Sequence, residues 1–247
     1  MPEPARAGAD PAEIGAFEAL AAQWWDPAGP HAPLHKLNPA RLAYLRDRLA
    51  ALAGRDPLGE RPLAGLRVLD VGCGGGLVTE PLARLGAAMT GLDAGAQAIA
   101  AAQVHASAMN LAIAYRQGDV ADVEETFDAV VALEIVEHVA DVDAFLGACA
   151  ARVRPGGLMI VSTLNRTWKA YALAIVGAER VLRWVPPGTH RWSRFVTPAE
   201  LARSLRRHGL RTTDVTGMAY DVARDTWRLG RDTGVNYLAT AAKAAVS

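Results

Sequence analysis

Several common architectures are excluded by what the sequence has little of. Its 247 residues include two cysteines, Cys73 and Cys149. There is no CxxC and no Cys/His cluster, which excludes a disulfide scaffold and a zinc site and points to a reducing compartment. Charge of either sign is not in excess. With 26 Lys and Arg against 26 Asp and Glu, a globally basic nucleic-acid binder is not expected, although a local basic patch stays open. Long hydrophobic runs are also missing. The longest, Ala170 to Ala178, has nine residues, where a bilayer crossing takes about 20. The start of the chain, Met1 to Gly15, carries Glu3, Arg6, Asp10 and Glu13 and no basic segment followed by an apolar one. It does not read as a secretory signal. A hydrophobic fraction of 51% with 21% charged residues is ample for a buried core and excludes wholesale disorder.

What is there is an alanine-rich chain, roughly a fifth Ala, which favours helices. Residues 1–15 are expected to be flexible and 16–247 to form a single domain, with 16–65 as N-terminal helices. Residues 12 to 53 read as helical, with Phe17, Leu20, Trp24 and Trp25 at helical spacing. The break Asp26-Pro27-Ala28-Gly29-Pro30 precedes a second helix, Pro39 to Ala53, and Arg55 to Gly65 reads as a linker. From Leu66 short apolar runs alternate with amphipathic helices. The predicted strands are Arg67 to Val71, Ala88 to Asp93, Ile113 to Gln117, Asp128 to Leu133 and Leu158 to Thr163. The predicted helices are Val78 to Leu85, Ala96 to Met109, Val142 to Val153 and Thr197 to Arg207, the last opening on the capping box Thr197-Pro198-Ala199-Glu200. Two late strands lie around Leu210 to Val215 and Tyr237 to Ala242. This alternation predicts an α/β fold, a seven-stranded and mostly parallel sheet with helices on both faces and an antiparallel strand at its end.

Val68-Leu69-Asp70-Val71-Gly72-Cys73-Gly74-Gly75-Gly76-Leu77 is a strand running into glycines and then a helix. Glycines let backbone turn tightly and approach a ligand closely, with helix amides pointing at it. Asp93 follows Gly72 by 21 residues, at the end of the next strand, where a carboxylate can accept from ribose hydroxyls. The dinucleotide fingerprint fails at Leu77, which makes a dehydrogenase the weaker reading. No phosphate-binding G-x-x-x-x-G-K-[ST] is present.

Leu69-Asp70-Val71-Gly72-Cys73-Gly74-Gly75-Gly76 resembles the first motif of class I methyltransferases, enzymes with a Rossmann-like fold that use S-adenosylmethionine. Asp93, Gln117-Gly118-Asp119 and Arg154-Pro155-Gly156-Gly157 fall where that family has its ribose acid, its adenine-side acid and the turn before strand five. Other segments narrow the resemblance. They are Phe17 to Asp26, Pro33 to Leu42, Ser162-Thr163-Leu164-Asn165-Arg166, Val176-Gly177-Ala178-Glu179, Pro187-Gly188-Thr189-His190 and Val235-Asn236-Tyr237. Together they resemble the O-methyltransferases of ubiquinone biosynthesis, which methylate polyprenyl catechol and hydroquinone intermediates. The resemblance runs from Phe17 to Tyr237. It implies Arg41, Gly72, Asp93 and Leu133 as cofactor contacts, with Gly74 in the same loop and Asp119 on the adenine side. Relatives often have Met where this chain has Leu133, and both can pack on an adenine. Other enzymes of the same pathway are implied as partners. A small-phenol O-methyltransferase and a cofactor-binding scaffold without catalysis are the alternatives.

A phenol is mostly protonated at neutral pH, so methylation of its oxygen calls for a base or a cation. Glu134, Glu137 and His138 follow strand four at i, i+3 and i+4 and would converge on one face of a helix. That trio suits a divalent cation, and eukaryotic members of the family hold magnesium through it. The other reading makes the two carboxylates loop acids and His138 a base or a strut. His190 is a second candidate base.

The stretch Leu164 to Arg194 is too long for an ordinary connection. It carries Trp168, Tyr171, Trp184 and Trp192 with Arg166, Lys169, Arg180, Arg183, Arg191 and Arg194, and Glu179 is its one carboxylate. Aromatics, aliphatics and cations in one segment suit an anionic membrane surface. The chain is therefore expected in the cytoplasm, held peripherally to the membrane where a polyprenyl substrate resides. The rival reading of this insert is a helical lid with solvated arginines.

Overall fold

The computed structural model describes residues 23–173 and 191–245. The predicted strands appear as β1 (Arg67–Val71), β2 (Ala88–Asp93), β3 (Ala114–Gln117), β4 (Phe127–Leu133) and β5 (Val153–Leu164), all parallel. β6 (Leu210–Asp221), β7 (Thr226–Gly230) and β8 (Asn236–Lys243) complete one sheet in the order β3-β2-β1-β4-β5-β8-β6-β7. β8 runs antiparallel between β5 and β6.

The sheet thus has eight strands rather than the expected seven. The extra one, β7, folds back on β6 from Gly217↔Gly230 to Asp221↔Thr226. It is an edge strand whose side chains are mostly exposed, with Trp227 half-buried, so it carries no apolar run to betray it.

Side chains alternate between two apolar layers, as a sheet covered on both faces requires. Leu69, Val71, Val130, Ala132, Met159 and Val161 face the layer built with α4 (Val142–Arg152) and α5 (Pro198–Arg207). Val68, Ala129, Val131, Leu133 and Ile160 face the layer built with α1 (Ala32–Leu52) and the start of α2 (Thr79–Arg84). α3 (Ala96–Ala108) packs Ile99, Ala102 and Ala106 against Tyr115 of β3. Thr197 and Glu200 form the expected capping box on α5.

α1 begins at Ala32, seven residues ahead of the predicted start at Pro39, and reads through that proline. The lost backbone bond at Pro39 is outweighed by burial of Leu37 one turn-edge earlier and by the Asn38 side chain, which donates to the Leu77 carbonyl at 2.7 Å. Tyr44 fixes the rotation of α1. Its hydroxyl donates to Asp214 at 2.7 Å and meets Thr240 at 2.7 Å, on β6 and β8. Most of the first predicted helix lies outside the described residues, and Trp24 and Trp25 stand in a turn.

α4 and α5 are joined at one carboxylate. Asp143 accepts from Ser204, from Arg207 at 2.6 Å and from His208 at 3.2 Å. These bonds, led by Ser204, hold its carboxyl down to about 2. A depressed carboxylate stabilises the fold above its unfolded value near 3.9, and the contribution fades as pH falls toward the folded value. Asp143→Asn should therefore melt below the wild type at pH 7, and the difference should shrink as pH is lowered from about 4 toward about 2. Thermal unfolding followed by circular dichroism checks this.

Candidate active site

The strand order reverses between β1 and β4, which leaves a crevice at their carboxyl ends. The residues that follow the strands line up along that edge. Asp119 follows β3, Asp93 ends β2, the glycine loop follows β1, and Leu133 and Glu134 end β4.

In the glycine loop, Gly72 has φ 75° and a Cβ there would lie 2.5 Å from Ile135 Cδ1. Gly74 has φ 52° and its Cβ would lie 2.6 Å from the Trp24 ring. Both positions require glycine for conformation and for space. The Gly72 amide donates to the Leu92 carbonyl at 2.8 Å, which pins the loop to the end of β2. Asp93 stands beside it. Its two carboxylate oxygens accept from the Gly74 amide at 2.9 Å and the Gly95 amide at 2.8 Å, which sets the plane of the carboxylate. Asp119 caps the turn Val120–Asp122 by accepting from the Ala121 amide at 2.9 Å.

Arg41 lies in the buried stripe of α1, between Leu37 and Leu45, and is 5% exposed. Its Nη2 comes within 3.5 Å of Glu134. Its Nε and Nη2 have no hydrogen-bond partner among the described residues. Burial lowers its pKa, while Glu134, Glu137 and Asp70 act in the opposite sense. Asp70, on the same face of β1 as Val68, accepts from the Thr79 hydroxyl at 2.6 Å. Burial pushes its carboxyl up to about 6. Sequence reasoning quoted Asp70 inside the motif without seeing that it faces Arg41's layer. The period-2 alternation with Val68 is the signal that could have shown it.

Glu134, Glu137 and His138 do not converge as predicted. A helix was needed for i, i+3 and i+4 to share a face, but Glu134 has φ 52° and only Val136–His138 make a single tight turn. Glu134 turns back to Arg41 and accepts from the Ser162 hydroxyl at 2.6 Å. Glu137, 5% exposed, accepts from the Thr163 hydroxyl at 2.7 Å. Among the described residues no three His, Cys, Asp or Glu side chains gather as a metal centre needs. This donor set therefore does not fit magnesium. His138 is half-buried on the turn, and His190 lies outside the described residues.

Leu133 ends β4, three strands along the sheet edge from β3 and Asp119. Leu133 stands at the Arg41 end of the row and packs in the α1 layer.

A cavity of about 330 Å³ opens beside the Val136–His138 turn. Val136, Val139, Val142 and Phe195 wall it, with Arg166 and Glu200 at its polar side. Of the insert, residues 174–190 are outside the described part, and with them Arg180, Arg183, Trp184 and Glu179. The described cations are partly engaged: Arg166 pairs with Glu200 and Lys169 with Asp232. Trp168 is 75% exposed and stacks on Trp192 at 5.3 Å, and Leu173 is 53% exposed. Among the described residues no helix is long and apolar enough to cross a membrane.

Comparison with known proteins places this geometry. A methyltransferase-domain family model matches residues 35–215. The chain is 51% identical over 249 residues to the ubiquinone biosynthesis O-methyltransferase of Mesorhizobium japonicum, covering 100% of both chains. It is 54% identical over 236 residues to that of Azorhizobium caulinodans, covering 94% of this chain and 93% of the relative. In fold it is similar to the magnesium protoporphyrin IX methyltransferase of Synechocystis PCC 6803 with bound SAM (TM-score 0.61, 16% identity, 94% and 97% covered). It is also similar to a SAM-dependent methyltransferase of Thermotoga maritima, a possible histamine N-methyltransferase (TM-score 0.65, 14% identity, 93% and 99% covered). The fold is the Rossmann-like fold of class I methyltransferases.

A carboxyl held up near 6 by burial opposes folding once it ionises. The folded state keeps the proton longer than the unfolded one, so stability falls as pH rises from about 4 to about 6. Asp70→Asn should raise the unfolding free energy of the ligand-free protein at pH 7 by up to about 3 kcal/mol. The gain should vanish below about pH 4. Urea unfolding at the two pH values measures it.

Proposed function

We propose that this chain, which belongs to the ubiquinone biosynthesis O-methyltransferase family, transfers a methyl group from S-adenosylmethionine to a phenolic oxygen of a polyprenyl catechol or hydroquinone. The observation that supports this reading most is Arg41. A buried guanidinium whose Nε–H has no hydrogen-bond partner among the described residues, and whose Nη2 is paired with Glu134 only at 3.5 Å, fits a carboxylate, and S-adenosylmethionine carries one at the end away from its adenine. The row along the sheet edge has the matching order. Asp119 would meet the adenine side, Asp93 the ribose hydroxyls, and Gly72 and Gly74 the passing chain. Arg41 would hold the amino-acid end, and Leu133 would supply an apolar contact to the adenine.

Bound S-adenosylmethionine supplies a methyl group already activated on a cationic sulfur. What remains for this chain is to align the phenol and take its proton. Alignment of the two reactants can supply roughly 7–11 kcal/mol of the barrier reduction where it is ideal. His138 is the proton acceptor in this reading. It is half-buried on the turn after β4, and an imidazole nitrogen is the side-chain group best suited to take a proton at neutral pH. A ring nitrogen of His138 would accept the phenolic proton as the phenol gives its oxygen to the transferred methyl group. Glu137, anchored by Thr163, holds the turn that carries His138. The adjacent cavity of about 330 Å³ has the apolar walls that an aromatic acceptor needs.

Incubation with methyl-labelled cofactor and a short-tailed demethylubiquinol should give a labelled methyl ether. Absence of product from protein that binds S-adenosylhomocysteine would overturn the assignment. His138→Gln should cut turnover about 10²- to 10⁴-fold and leave S-adenosylhomocysteine affinity unchanged by calorimetry. Unchanged turnover would remove His138 from the mechanism.

A substrate with a polyprenyl tail resides in the bilayer, so we also place this enzyme at an anionic membrane surface through the insert. The exposure of Trp168 and Leu173 supports that placement, and the sequence adds the cations Arg180 and Arg183 to the same insert. Co-sedimentation should show binding to anionic vesicles that falls as salt rises. The double variant Trp168→Ala, Leu173→Ser should bind them roughly tenfold more weakly and keep its activity on a tail-less catechol. Wild-type vesicle binding by that variant would leave the insert as a lid.

A further inference from the structure

The glycine loop is roofed by an aromatic strap that the cofactor row does not explain. Trp24 is 8% exposed, and its indole lies along the loop. The pyrrole end (Cγ, Cδ1) sits 2.4 and 2.9 Å from where a Gly75 Cβ would be. The benzo end (Cη2, Cζ2) sits 2.6 and 2.8 Å from where a Gly74 Cβ would be. Both glycines are therefore needed to admit this one ring. The ring is stacked on buried His31 at 3.9 Å with 2° between planes.

The strap is pinned at three further points. His35 Nε2 is 2.8 Å from the Trp24 carbonyl oxygen, and Trp25 Nε1 donates to the Gly75 carbonyl at 3.0 Å. Trp25 also stacks on His105 at 3.6 Å, and His105 reaches buried Glu80 at 2.8 Å.

Against this tight packing one group stands out. Trp24 Nε1 is buried with no hydrogen-bond partner among the described residues. A buried indole N–H ordinarily finds an acceptor, because leaving one unmet forfeits its hydration without return. Nε1 lies on the ring edge between Cδ1 and Cζ2, the edge that runs from Gly75 to Gly74. The Gly74 amide is the one bonded to Asp93 at 2.9 Å, so the loop this ring covers also holds the carboxylate at the proposed ribose position.

We propose that Trp24 is a cofactor-binding residue: its indole N–H donates to an oxygen of the bound S-adenosyl ligand while its ring closes the glycine loop. The proposal rests on the S-adenosylmethionine reading above and adds a donor outside the sheet edge. A phenyl ring would fill most of the same space between His31 and the glycines but has no N–H to give. Trp24→Phe therefore separates hydrogen bonding from packing.

Calorimetry with S-adenosylhomocysteine and with 5′-methylthioadenosine, on wild type and Trp24→Phe, tests it. The expected result is about tenfold weaker S-adenosylhomocysteine binding by Trp24→Phe with a melting temperature near the wild type's. A parallel loss with 5′-methylthioadenosine, which lacks the amino-acid part, identifies a ribose oxygen as the acceptor. A loss confined to S-adenosylhomocysteine identifies the carboxylate. Equal affinities of the two proteins for both ligands would overturn the proposal and leave Trp24 as packing. Wild-type protein that binds neither ligand would instead overturn the S-adenosylmethionine reading itself. Trp24→Ala also removes the stack on His31, so Trp24→Phe is the deciding variant.

Discussion

A guanidinium set into the apolar stripe of α1 organises the crevice. Leu37, Arg41, Tyr44, Leu45 and Leu49 all face the sheet, and an aliphatic side chain at position 41 would complete the stripe at no electrostatic cost. Burying a cation instead costs several kcal/mol unless charge and hydrogen bonds compensate. Glu134, Glu137 and Asp70 supply the charge, with Nη2 paired to Glu134 at 3.5 Å, yet the Nε–H has no hydrogen-bond partner among the described residues. The crevice thus holds one cation, its Nε–H without a hydrogen-bond partner among the described residues, among three acids. Its electrostatic complement is a ligand with a carboxylate for Arg41 and cationic atoms for the acids. S-adenosylmethionine has that pattern: a carboxylate, an ammonium and a sulfonium.

Glu134 shows how the backbone serves this arrangement. A non-glycine residue at φ 52° is strained, by about 1–3 kcal/mol in general, and it persists only where its surroundings hold it. Here β5 does so. The Glu134 amide donates to both the carbonyl and hydroxyl oxygens of Ser162 at 3.1 Å, and that hydroxyl donates back to the Glu134 carboxylate at 2.6 Å. The chain therefore turns sharply at the end of β4 and sends this carboxylate back toward α1.

The parts of the molecule legible in sequence are those whose signals are local. The glycine loop and Asp93 are read from spacing alone because a strand, a tight turn and a strand end occur in fixed order along the chain. The capping box on α5 is legible for the same reason. β7 was not legible, since an exposed edge strand buries too little to need apolar residues. The early start of α1 was hidden by Pro39, whose local penalty is overruled by tertiary burial of Leu37. The contacts of Trp24 with Gly74 and Gly75 join positions some 50 residues apart, and no periodicity reports them. The trio after β4 was misplaced because spacing was converted to geometry through a helix that the strained Glu134 does not allow.

That division follows the two halves of the proposed reaction. The donor end is built at the carboxyl ends of consecutive parallel strands, where register is set by the ladder and a residue's position in sequence nearly determines its position in space. The cavity proposed for the acceptor is assembled from segments with no such rule: the turn after β4, the exit of β5 at Arg166, and Phe195 at the far side of the insert. The Arg166–Glu200 pair bridges two of these pieces, so the shape of the cavity depends on how the insert leaves β5 and rejoins α5. A substrate pocket of that construction can change its preference by altering the insert while the strand-end row stays as it is. Class I methyltransferases of different acceptors would then share a sheet edge and differ here.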